Sequence, residues 1–176
     1  MFKLVAAVVV LVILGALVFA ATRPDTFRVQ RSASIKAPPE KLFPLIEDFH
    51  QWEAWSPWEG IDPDLKRTYS GAPSGRGAVY EWNGNKNVGH GRMEIVESTP
   101  PSKVVIKIDF ITPFEAHNTV EFTLVPRGDS TEVTQAMYGQ NSFMAKLMGL
   151  FFSMDKMVGD KYEEGLANLA RLAEGR

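Results

Sequence analysis

The chain contains no cysteine. Disulfides, thiolate nucleophiles and cysteine-ligated zinc are therefore excluded. Histidine is nearly as scarce: His50, His90 and His117 are the only three. They fall on separate predicted elements without ligand spacing, so no metal site is expected. An excess of positive charge is also missing. The formal net charge is −2, which leaves no electrostatic footprint for nucleic acid. The glycine-rich stretch "SGAPSGRG" lacks the Gly-Lys-Ser/Thr ending of a phosphate-binding loop. Ser74 in "APSGR" lacks the glycine two residues upstream that a nucleophile elbow requires. No cofactor is expected. Glu81, Glu94, Glu97, Asp109, Glu115 and Glu121 take outward positions by strand alternation, so no carboxylate pair enters the predicted interior. Tyr80, Tyr138, Glu53 and Glu59 remain for proton transfer, and nothing in the sequence distinguishes one from another.

What the chain does have is a long apolar run at its start. From Leu4 to Ala21 no residue is charged, over a length of eighteen residues. A spanning helix needs roughly 17–25. The run reads as an uncleaved single-pass membrane anchor, residues 1–22, ahead of one domain, residues 23–176. A signal peptide is the rival, with Val18 and Ala20 preceding a cleavage point at Ala21. The cues for sidedness conflict. Lys3 stands before the run, while Arg23, Arg28, Arg31 and Lys36 follow it. The short N-terminal tail tips the reading toward an exported domain.

Beyond the linker the apolar pattern has period two. Phe27, Val29, Ala33 and Ile35 alternate with polar residues, which predicts a strand with one buried face. Two prolines then open a short helix carrying Leu42, Phe43, Leu45, Ile46 and Phe49, with Pro44 expected in its first turn. The stretch "WEAWSPWEG" holds three of the four tryptophans, Trp52, Trp55 and Trp58. They fit core packing, a pocket rim or a membrane interface. About six strands follow, separated by turn signals, and imply an antiparallel sheet. From Ser142 the period becomes helical. A stripe of Phe143, Leu147, Leu150, Met154, Val158, Tyr162, Leu166, Leu169 and Leu172 predicts one helix of about thirty residues, some 45 Å long. Its first half, residues 143–157, is apolar almost all round and carries four methionines. That surface is expected near the membrane, bordering a cavity entrance.

"SIKAPPEKLFPLIEDFHQWEAWSPW", Asp62–Pro63, the strands bounded by Gly77 and Gly89, and "MDKMVGDKYEEGLANLARLAE" together resemble the START-like superfamily (SRPBCC), which includes polyketide cyclase/dehydrase-type proteins. The resemblance covers roughly residues 27–174. It implies an α+β helix-grip fold, in which a curved antiparallel sheet wraps a long C-terminal helix around a ligand cavity. Fold alone does not fix function. The expected activity is binding of a small hydrophobic molecule or lipid. Trp55, Trp58, Tyr80, Trp82, Phe110, Phe122, Met137 and Met154 would supply the walls, and Asn118 and Gln135 would orient the polar end. These two are amides on otherwise apolar strand faces, where an unmatched amide costs roughly 1–3 kcal/mol. A cyclase or dehydratase is the second reading and a ligand-free interaction module the third.

Overall fold

The computed structural model describes residues 1–175. The apolar run forms α1, Phe2–Ala21. It is long and apolar enough to cross a membrane, and its side chains are almost entirely exposed. Seven strands follow in two groups: β1 (Thr26–Ile35), then β2 (Lys66–Gly71), β3 (Ala78–Asn83), β4 (His90–Thr99), β5 (Lys103–Thr112), β6 (Ala116–Arg127) and β7 (Ser130–Gln140). Between β1 and β2 lie α2 (Pro39–Glu47) and a 3-10 helix, Phe49–Ala54. After β7 come α3 (Phe143–Met148) and α4 (Met154–Glu174). The strands form one antiparallel sheet in the order β1-β7-β6-β5-β4-β3-β2. This is the expected helix-grip arrangement.

Alternation sets which side chains face α4. On β6, Asn118, Val120, Phe122 and Leu124 are buried while Thr119, Glu121 and Thr123 are half-buried on the other face. The inner faces of β1, β4, β5 and β7 add Ile35, Ile95, Val104, Ile106 and Val133, none of them accessible. Tyr162, Leu166, Leu169 and Ala173 of α4 close over this surface. Of the predicted stripe, Tyr162, Leu166 and Leu169 face the core at helical spacing, whereas Phe143, Met154 and Leu172 are exposed and Ala173 is buried in place of Leu172. Arg31 also faces inward, between Val29 and Ala33. It lies across Gly159, where a Cβ would run into its guanidinium. Asp155 holds it at 3.0 Å and Glu163 at 2.6 Å, so the edge strand clasps the helix by charge as well as by packing.

Two local expectations are corrected. The C-terminal helix is not continuous. Residues 149–153 separate α3 from α4, and Ser153 starts the second helix by accepting from the Lys156 N–H. Gly149 is a poor interior helix residue, and a serine cap four residues later offers the backbone a fresh start. Ser142 caps α3, accepting from the Ala145 N–H. Pro44 lies beyond the first turn of α2 rather than within it. Its missing N–H removes one backbone bond to the preceding turn, and the helix ends three residues later, at Glu47, with Asp48 extended.

One end of the sheet matters for function. The register puts Thr26 opposite Gln140, Phe110 opposite Ala116 and Asn83 opposite His90. The start of β1, the end of β7, the β5–β6 hairpin and the β3–β4 turn therefore share one end, which α1 reaches through residues 22–25. The turns at 99–103 and 127–130 mark the opposite end.

Candidate functional site

The inner face divides into a closed part and a looser part. The closed part is built around two of the clustered tryptophans. The 3-10 helix brings Phe49 and Trp52 to one face, with Trp55 at its C-terminus, and all three are buried. The Trp52 indole N–H donates to the Ile46 carbonyl at 2.9 Å and that of Trp55 to the Leu45 carbonyl at 3.0 Å. Both rings meet Phe122 edge-on, at 6.0 and 6.1 Å. With their polar ends matched and their edges enclosed, Trp52 and Trp55 serve as core here, not as an accessible rim.

The third tryptophan differs. Trp58 is only partly buried and stands perpendicular to Tyr162 of α4 at 5.8 Å. On the inner face, β7 presents Gln135, which is 3 % exposed. The Gln135 amide lies near the Tyr162 hydroxyl, whose pKa burial pushes well above the usual tyrosine range. Its carbonyl oxygen, Oε1, is enclosed and has no hydrogen-bond partner among the described residues. A buried carbonyl oxygen left unmatched is uncommon in folded proteins. Toward the α1 end, Asn118 is 9 % exposed and sits beside Gly139, where a Cβ would collide with its amide. The glycine makes room for the asparagine. Met137 and Ile108 are buried nearby in register, while Phe27, Phe110 and Val158 are only partly covered. The inner face is thus least covered toward the α1 end. Trp82 is buried over Gly91, which has no side chain to obstruct the indole, and meets Phe110 edge-on at 5.9 Å. Met154 stands apart from the others at the first turn of α4, 47 % exposed. Two shallow surface hollows, of about 390 and 210 Å³, lie at this same end, on β1–β7 and on β2–β3–β4.

Two of the residues considered for proton transfer, Tyr80 and Glu59, form a contact the sequence did not signal. The Tyr80 hydroxyl donates to Glu59 Oε1 at 2.7 Å, and the Arg67 guanidinium donates to Glu59 Oε2 at 2.7 Å. Burial, and then the Glu59 carboxylate, push the Tyr80 pKa far above its ordinary value. Both carboxylate oxygens are occupied and the phenol is held neutral. The cluster therefore fastens the 55–65 loop to the sheet and is poorly set up to pass a proton. Tyr69 stacks on Tyr80 at 5.2 Å and on His50 at 4.1 Å, extending the same fastening. His90 and His117 lie on different strands, and no cluster suited to a metal occurs among the described residues.

An antiparallel sheet gripping an amphipathic C-terminal helix, with residues 26–174 matching the family described as polyketide cyclase/dehydrase and lipid transport, decides the relationship. The chain belongs to that family. No curated protein matches it. Among solved structures, ginseng major latex-like protein 151 from Panax ginseng is similar with a TM-score of 0.62 at 13% identity, covering 85% of this chain and 99% of that one. Protein CV1439 from Chromobacterium violaceum gives 0.60 at 15%, covering 86% and 99%. Protein Ms6760 from Mycobacterium smegmatis gives 0.58 at 19%, covering 84% and 91%. At such identities the likeness is one of fold.

Of the residues singled out from sequence, Tyr80, Trp82, Asn118, Phe122, Gln135 and Met137 share the buried inner face, as alternation predicts. Trp55 joins them from the helical segment. Sequence reasoning missed Tyr162 as a polar partner. It appeared only as one member of an apolar stripe, although a tyrosine at such a position calls for a partner for its hydroxyl.

Proposed function

We propose that this family member holds a small, uncharged, mainly apolar molecule between the inner face of the sheet and α4, in a domain tethered to a membrane by α1. The observation that carries the reading is the enclosed, unmatched Gln135 Oε1 beside Tyr162. A single unmatched acceptor in an apolar setting suits a ligand with one hydroxyl or other donor on a hydrocarbon body. Asn118 is a second polar contact nearer the less covered end. Trp58, Trp82, Phe110, Met137 and the more exposed Met154 are the candidate walls, and Trp55 and Phe122 belong to the closed core beside them. Among the described residues the arginines on this face are already matched, which argues against an anionic ligand. Arg31 is matched by Asp155 and Glu163, and Arg67 by Glu59 and Glu53. Family membership supports the hydrophobic-ligand class, and the saturated Glu59 cluster argues against a cyclase or dehydratase.

The test is titration of the full chain in detergent micelles with a brominated long-chain alcohol, whose bromine quenches tryptophan on contact. Saturable quenching is expected, weakened about tenfold or more in Gln135→Leu, equivalent to roughly 1.4 kcal/mol. Non-saturable quenching that is identical in the two proteins contradicts the reading.

A further inference from the structure

Several large apolar side chains outside the core are gathered at one end of the domain. Phe114, at the tip of the β5–β6 hairpin, is 69 % exposed. Phe151, between α3 and α4, is 80 % exposed. Met144, Phe152 and Met157 are exposed close to it in the chain. The hairpin and the start of α3 both sit at the sheet end that α1 reaches. A folded domain rarely leaves so many large apolar groups together in water without a use for them.

The occupant follows from the anchor. α1 ends at Ala21 and β1 begins at Thr26, so four residues join them. Fully extended, they reach about 14 Å. α3 also packs directly on α1, and Ala20 is wholly buried. The Lys146 ammonium of α3 pairs with Asp25 of the linker at 2.5 Å, fixing the helix beside the end of the anchor. If α1 spans a bilayer, α3 lies level with the anchor's last turns, at the headgroup boundary.

We propose that this end is a membrane-docking rim, with the β5–β6 hairpin tip and the 149–153 segment resting in the interfacial layer of the same bilayer that α1 crosses. The rim turns the less covered end of the inner face toward lipid, so an apolar ligand passes between bilayer and domain without crossing water. The inference rests on the tether in the proposed function but not on the ligand. Phenylalanine and methionine side chains on a loop and a short helix suit shallow insertion, with no need for lipid of a given charge.

The chain's lack of cysteine provides a blank background for labelling. Single substitutions Val10→Cys, Phe114→Cys, Phe151→Cys and Val125→Cys are made in the full chain, each at an exposed position. Each variant is labelled with an environment-sensitive fluorophore and reconstituted into phosphatidylcholine vesicles carrying a nitroxide on the lipid. Labels at 114 and 151 are expected to be quenched at least threefold more than the label at 125, which lies toward the opposite end. Equal quenching at 114, 151 and 125, with strong quenching at 10, overturns the rim while leaving the anchor. Absence of quenching at 10 overturns anchor and rim together. Labels at 114 and 151 shielded from aqueous iodide yet untouched by lipid nitroxide assign the surface to a protein partner or a second copy, which also overturns the proposal.

Discussion

Phe122→Ala is expected to lower the unfolding free energy by about 3–5 kcal/mol, the usual cost of removing a fully enclosed phenylalanine. Its ring has no accessible surface and is the common neighbour of Trp52 and Trp55. Those indoles cannot swing in to fill the gap, because each is pinned by its N–H to a carbonyl at or near the end of α2. The two edge-on contacts add about 0.5–1.5 kcal/mol each beyond buried area. Set against a total stability of about 5–15 kcal/mol, the loss is severe. Urea unfolding of the full chain in micelles, followed by circular dichroism, gives the value. A cost below about 1 kcal/mol would mean that the ring is not enclosed, because exposed substitutions fall in that range.

Glu59→Ala should cost about 2–4 kcal/mol, since a matched carboxylate is removed while its partners stay behind. The Tyr80 hydroxyl loses its acceptor in a buried position, and Arg67 keeps the exposed Glu53 at 3.1 Å and the Leu65 and Glu59 carbonyls but loses its buried carboxylate. Glu59→Gln, which retains an acceptor, should cost less. The pH dependence has a definite sign. Tyr80's folded pKa lies above its unfolded value, so its contribution is complete below about pH 10 and is withdrawn as pH rises beyond that. Ultraviolet titration of phenolate absorbance should show two tyrosines, Tyr80 and Tyr162, that resist ionisation well above the ordinary range, and Glu59→Ala should lower the midpoint of one of them. An unchanged tyrosine titration in Glu59→Ala would show that the contact is not formed in solution.

The sheet was readable because its strands are one-sided. Val120, Phe122 and Leu124 alternate with Thr119, Glu121 and Thr123, and a period of two allows one facing. The amides Asn118 and Gln135 were visible for the same reason, as polar interruptions of an apolar face. The Gln135–Tyr162 contact was not visible, because it joins a strand to a helix and leaves no periodic trace. Glu59, in the loop after the tryptophans, meets Tyr80 across 21 positions in the chain. Residues 149–153 misled for a different reason. Leu147, Leu150 and Met154 keep helical spacing across the break, while Gly149 and Ser153 supply the local chemistry that ends one helix and starts the next. Apolar spacing reports which face is covered, not whether the backbone is continuous.

The central claim is that an apolar molecule occupies the space between sheet and α4. Native mass spectrometry of the full chain, released from micelles and followed by organic extraction, tests it most directly. The account predicts one small apolar molecule bound per chain, retained by the natural sequence and largely lost from Gln135→Leu. An unadorned mass for both proteins, with Gln135→Leu the more stable of the two, would contradict it. The unmatched Gln135 oxygen would then be only a defect in a filled core.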